Sequence, residues 1–153
     1  MDLDALDAAI LQHLQSDGRM TSAELADRIG LSPSSASRRV RRLEDDGFIS
    51  GYVMLVDAAR LGRTVSVFVE VSLNGQAEEL LDEFETAIAT TPEVMSCYLM
   101  AGDADYLVHV LCRDMADYER IHRQHFAALP HVARLRSSFA IREVARRTDI
   151  ELV

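Results

Sequence analysis

Ser32-Pro33-Ser34-Ser35-Ala36-Ser37-Arg38-Arg39-Val40-Arg41-Arg42-Leu43-Glu44-Asp45-Asp46-Gly47 is the stretch on which the fold of this chain turns. Ser32 offers a hydroxyl to free amides of a first helical turn, and Pro33 carries a φ already set for that turn. The spacing predicts a helix from there to about Asp46, where Gly47 can take the left-handed conformation that ends it. Ala36, Val40 and Leu43 recur at i, i+4 and i+7 and face a core, so Ser34, Arg38 and Arg41 point the other way. Ser35, Ser37 and Arg42 flank that outer face, and Arg39 turns toward the buried side as a structural residue.

Two shorter helices precede it. Leu6, Ile10 and Leu14 at four-residue spacing give the first, ended by Ser16-Asp17-Gly18. Thr21 and Glu24 have capping-box spacing and open the second, with Leu25 and Ile29 on its buried side and Gly30 closing it. Two helices joined by a three- or four-residue turn, the second basic on its outer side, form the helix-turn-helix geometry that enters the major groove of double-stranded DNA. Hydroxyls at the helix start can approach base edges, and arginine can pair with guanine or hold phosphate. On this reading Ser32, Ser34, Ser35, Ser37 and Arg38 serve the groove, and Arg41 and Arg42 the backbone phosphates. The alternative is a solvated face whose charges pair locally, Arg41 with Asp45 and Arg42 with Asp46 at i, i+4.

Outward from this region the pattern changes near Leu61 to Arg63, which divides the chain into 1–62 and 63–153. Phe48 to Val56 reads as a short strand or wing. Strands follow over Val65 to Leu73, Val94 to Met100, Tyr106 to Cys112 and Val132 to about Val144. Between them lie one helix carrying Leu80, Leu81, Phe84 and Ile88, and another carrying Tyr118, Ile121, His125 and Leu129. The order βαββαβ is a ferredoxin-like split unit with an antiparallel sheet, so the fold class is α+β.

The net charge of −9 argues against a nucleic-acid partner until its distribution is considered. All 16 basic residues are arginine, and Arg28, Arg38, Arg39, Arg41 and Arg42 fall between Arg28 and Leu43 with no acid among them. The acids gather in Glu78 to Glu85 and Asp103 to Glu119, which limits non-specific binding. Apolar runs are far shorter than the roughly 20 residues of a membrane span, and the acidic first twenty positions do not read as a signal peptide, so a cytoplasmic protein is expected. Cys97 and Cys112 are too few for a disulfide framework. An enzymatic or metal-binding alternative would rest on His122 and His125, one helical turn apart, with those cysteines. No cysteine lies near the two histidines in sequence and there is no phosphate-cradling loop or nucleophile elbow, so neither an enzyme nor a cofactor or metal site is expected.

Taken together, the chain resembles the Lrp/AsnC family, the leucine- and asparagine-responsive regulators of bacteria and archaea, over nearly its whole length. The resemblance rests on Leu3-Asp4 with Asp7 and Ile10-Leu11, Gly18-Arg19, Gly30-Leu31-Ser32-Pro33, Arg39 to Glu44, Gly47-Phe48-Ile49 with Gly51-Tyr52, and Gly102-Asp103-Ala104-Asp105-Tyr106. It implies a winged helix-turn-helix joined to a ferredoxin-like domain that dimerises, assembles further to tetramers or octamers, and senses a small effector, usually an amino acid. The resemblance also implies an effector cleft between subunits, around Gly102, Asp103, Ala104, Asp105 and Tyr106, with Ser137 at the position of a usual threonine; Leu135 departs from another. Independently of the family, Asp103 and Asp105 on a tight turn either hold an α-ammonium, with neighbouring amides taking the carboxylate, or only shape the turn. A sensor or assembly protein with weak DNA binding is the other functional alternative.

Overall fold

The computed structural model describes residues 3–152. Its first helix, α1 (Ala5–Ser16), is capped by Asp4, whose carboxylate accepts the Asp7 N–H at 2.8 Å while Asp7 accepts back from the Asp4 amide. Next comes α2 (Ser22–Ile29), with the expected Thr21 and Glu24 box, ending on Gly30 at φ 70°, where a side chain would be strained. Ser32 accepts the Ser35 N–H to start α3 (Pro33–Asp45). Ile10, Leu11, Leu25, Ala26, Ala36 and Leu43 form the shared core, with Val40 against it, so the expected inward face of α3 is the one buried.

No strand forms over 48–56. Val53 and Met54 stand 86% and 84% exposed. A β-rich sequence gains a strand only when a neighbouring strand satisfies its backbone groups, and among the described residues no strand pairs with this segment, whose Ile49 N–H donates instead to the Leu43 carbonyl.

The second unit is a four-stranded antiparallel sheet of order β2-β3-β1-β4, built from β1 (Val65–Leu73), β2 (Val94–Leu99), β3 (Tyr106–Cys112) and β4 (Val132–Phe139). Helices α4 (Glu78–Ala89) and α5 (Met115–Gln124) pack on one face: Val67, Val69 and Val71 of β1 share a fully buried cluster with Phe84, Ile88, Tyr118 and Ile121. Phe68, one residue out of phase on β1, is 39% exposed on the opposite face, which carries no helix.

Two expected boundaries move. α5 stops at Gln124 and is followed by a 3₁₀ turn, Phe126–Ala128, so Leu129 lies outside the helix, on the extended backbone that Pro130 favours for the residue before it. β4 ends at Phe139 instead of near Val144: Phe139 pairs with Val67, the Ala140 N–H makes a last bond to the Ser66 carbonyl, and β1, which starts at Val65, has no residues left to pair with 142–144. The chain then runs on without secondary structure. Ile150 donates to the Gln15 Oε1 at 2.6 Å and accepts from Gln15 Nε2 at 3.1 Å, and Leu152 packs against the helical core. The compact units are accordingly Met1–Leu55 with Val144–Val153, and Val56–Glu143, whereas the change of pattern alone grouped the C-terminal run with the sheet.

Candidate nucleic-acid interface and effector site

On α3 the positions 34, 37, 38 and 41 follow the i, i+3, i+4, i+7 progression that defines one helix face, and all four side chains are exposed. From Ser34 to Arg41 that stripe runs about 10 Å along the axis, and an α-helix fits the ~12 Å width of a major groove. Ser32, Ser34 and Ser35 form a hydroxyl cluster at its start: the Ser32 hydroxyl donates to Ser35 Oγ at 2.9 Å and lies 3.2 Å from Ser34 Oγ. Ser35 is half-buried, so its hydroxyl serves the cap more than the open face.

The arginines divide. Arg38 and Arg41 make no ion pair among the described residues, so neither they nor Arg42 form the local pairs with Asp45 or Asp46 that a merely solvated face would use. Arg39 donates to Asp4 and Asp7, each at 2.7 Å, and Arg42 donates to the second oxygen of Asp7. Asp7 is 2% exposed, so a buried carboxylate bridges two guanidinium groups. The hydrogen bond from Arg39 holds the Asp4 carboxyl below its usual value, and Asp4 and then Asp7 hold the Arg39 guanidinium charged. Helical spacing alone makes Arg39 structural and sends Arg42 to the phosphates. It gives no sign of Asp4 and Asp7 as their partners, because capping already accounts for those two acids.

At the β2–β3 turn, Gly102 and Asp103 are exposed and Ala104 is half-buried. Asp103 has no partner among the described residues, while Asp105 is fully engaged. Its carboxylate accepts the Leu73 N–H at 2.7 Å and Gln76 Nε2 at 3.0 Å, and its own N–H donates to the Val71 carbonyl at 2.9 Å. Asp105 therefore pins the turn to the end of β1. Tyr106 is buried against Phe84, its hydroxyl donating to Glu85 at 2.8 Å; burial, then Glu85, pushes the phenol pKa up.

Ser137 stands elsewhere. It pairs with Val69 on β1, whose other neighbour is Val108 of β3, and its hydroxyl is hydrogen-bonded to Tyr118. Two strand spacings, about 10 Å, separate its column from that of the turn, so a single chain does not bring them together. His122 packs between Tyr118 and Phe126, His125 faces Glu93 at 3.8 Å, and no group of three metal-ligating side chains occurs among the described residues.

Residues 3–50 match a family described as winged helix-turn-helix DNA-binding, and residues 66–150 match the Lrp/AsnC ligand binding domain. The chain belongs to the Lrp/AsnC family. As a member it is a DNA-binding transcriptional regulator with a ligand-binding domain. This Lrp/AsnC chain is 42% identical to the Bkd operon transcriptional regulator of Pseudomonas aeruginosa, covering 96% of each chain. It is 41% identical to the leucine-responsive regulatory protein of Escherichia coli K12, covering 94% of this chain and 87% of that one. Among solved structures, a transcriptional regulator of Neisseria meningitidis in complex with L-Met superposes with TM-score 0.92 at 32% identity, covering 98% of this chain and 97% of that one. An AsnC family regulator of Agrobacterium tumefaciens does so with TM-score 0.92 at 33% identity, covering 97% of both. The α+β fold of this Lrp/AsnC regulator, a winged helix-turn-helix domain and a ligand-binding domain, is thus the expected one.

Proposed function

We propose that this regulator reads a specific operator with the stripe Ser34, Ser37, Arg38 and Arg41, in a homo-oligomer whose sheet domains hold an amino-acid effector. The observation that carries the DNA half is that Arg38 and Arg41 make no ion pair among the described residues, beside the fully engaged Arg39. Arg38, nearer the helix start, addresses base edges with Ser34 and Ser37, while Ser32 and Ser35 hold the cap that positions them. Arg41 addresses phosphate, joined by the part of the Arg42 guanidinium that Asp7 leaves free.

Dimer formation is supported by the helix-free face of the sheet, where Phe68 and Tyr98 are exposed beside the half-buried Leu107 and Leu111. A second copy would cover that face and give the exposed 53–56 segment a neighbour. Assembly would also bring a partner's β4 toward a turn that its own Ser137 cannot reach. The effector then sits at a subunit boundary, with Asp103 offering a carboxylate to its ammonium, and biases one arrangement of the DNA-binding heads over another. A cytoplasmic regulator without catalytic activity completes this reading; among the described residues no helix is long and apolar enough to cross a membrane.

Titrating a selected operator and a random duplex against salt tests it. Affinity falls with a slope of about −0.9 per phosphate contacted in log–log form. Arg38→Ala reduces operator-over-random discrimination by about 1–3 kcal/mol, whereas Arg41→Ala weakens both duplexes alike. A flat salt response would leave a sensor or assembly protein with weak DNA binding.

A further inference from the structure

A groove of about 500 Å³ opens between α4 and the edge strand β2, lined by Glu85, Ile88, Ala89, Val94, Met95, Ser96, Cys97, Leu99 and Tyr106. Its size falls within the ~300–1,000 Å³ of small-molecule sites, and its make-up, mostly apolar with a few convergent polar groups, is theirs too. The chemistry is graded along its length. At one end Glu85 takes the Tyr106 hydroxyl on Oε1, and its second oxygen has no donor among the described residues. At the other end Ile88, Ala89, Val94 and Met95 present only carbon and sulfur. Met95 and Leu99 are 57% and 61% exposed along the rim, apolar surface that water covers at a cost.

We propose that this groove, which borders the β2–β3 turn at Tyr106, is a second ligand site, for a primary ammonium carried on a short apolar chain. Glu85 takes the ammonium and the Ile88 to Met95 end takes the chain. Length agrees with the assignment: Glu85 and Ala89 are one helical turn apart, about 6 Å, close to the ~5 Å from the nitrogen to the end of a branched five-carbon amine. Cys97 adds no competing charge, since burial, then Glu85, pushes its thiol up to about 11 and keeps it neutral. The open mouth leaves an α-carboxylate free to stay in water, so an aliphatic amine and an apolar amino acid share the required chemistry. A carboxylic acid lacking the amine does not.

The test uses the full chain labelled with ¹³C-methyl methionine, the Met95 signal being assigned by its loss in Met95→Leu. Isoamylamine, L-leucine and 4-methylpentanoate are titrated separately. The expected result is a saturable Met95 shift with the amine, with or without a matching shift from L-leucine, and none with the acid. Response to both ligands points to an amino acid as the natural occupant, and response to the amine alone to a decarboxylated one. Ala89→Phe, at an exposed helix position, fills the groove and abolishes the shift. Glu85→Gln, which keeps an acceptor for Tyr106, raises Kd at least tenfold. Asp103→Asn leaves the Met95 shift unchanged, which separates this site from the proposed effector cleft. The proposal is overturned by a Met95 signal indifferent to both amines, by a shift that survives Ala89→Phe, or by a Met95 signal that responds only to protein dilution and so marks an interface between copies.

Discussion

Replacing Asp7 by alanine removes one carboxylate and strands two arginines. One Asp7 oxygen holds Arg39 at 2.7 Å and the other holds Arg42, with the Asp7 side chain 3% exposed. Hydrogen bonds to charged groups contribute ~1.5–3 kcal/mol each. Both arginines can partly rehydrate, Arg39 keeping Asp4 and Arg42 being 41% exposed, so the low end applies to each. The helical unit therefore loses about 3 kcal/mol, the lower bound for breaking a buried ion pair. For a domain of this size that lowers Tm by roughly 12–24 °C, at ~4–8 °C per kcal/mol. Urea denaturation followed by circular dichroism at 222 nm, alongside calorimetry, measures it. Asp7→Ala combined with Arg42→Ala should cost less than the sum of the two single changes, because each removes the same contact. A loss below ~1 kcal/mol, the range of exposed pairs, or strict additivity in the double variant, would refute the view that this triad locks α3 onto α1.

Three further outcomes follow from other parts of the molecule. Asp117 is held far below the usual carboxyl range by the Arg113 guanidinium and amide, so its stabilising contribution is present above the unfolded value near pH ~3.9 and is lost as pH falls through the folded one; acid titration of sheet-unit stability should show a steeper loss below that pH in the wild type than in Asp117→Asn. Asp103→Asn should weaken effector binding in calorimetry at least tenfold with Tm unchanged, whereas Asp105→Ala should lower sheet-unit stability by about 1.5–3 kcal/mol through the lost charged bond to Leu73; the reverse pattern would make Asp105 the ligand carboxylate. Gln15→Ala should destabilise the helical unit by about 1 kcal/mol per lost bond to Ile150, with the sheet transition unmoved, as differential scanning calorimetry would resolve.

Features fixed by near neighbours along the chain are legible in the sequence alone. Thr21 with Glu24, Ser32 with Pro33, and Gly30 each act over three residues or fewer, and all three behave as their types require. The alternation along β1 and β3 likewise marks the buried face. What stays hidden depends on partners far away in the chain. The Asp7 bridge reaches 32 and 35 residues ahead, and Asp105 reaches 32 residues back to Leu73. The end of β4 is set by how far β1 extends, which no property of residues 140–144 announces. The 48–56 segment has strand composition and lacks only a partner, so its sequence and its conformation in a single chain disagree for a reason that local pattern cannot contain.

The helical unit is discontinuous in the chain, leaving at Leu55 and resuming at Val144, and this orders events during synthesis. About ninety residues separate the two parts, so at ~5–20 residues per second roughly 4–18 s pass between translation of the three helices and of the segment that clasps Gln15. The sheet unit, Val56–Glu143, is continuous and can close within that interval. The DNA-reading part of the polypeptide is begun before the sheet unit and completed after it, and until residues 150 and 152 arrive the Gln15 amide lacks its Ile150 partner and the helical core lacks its Leu152 cover.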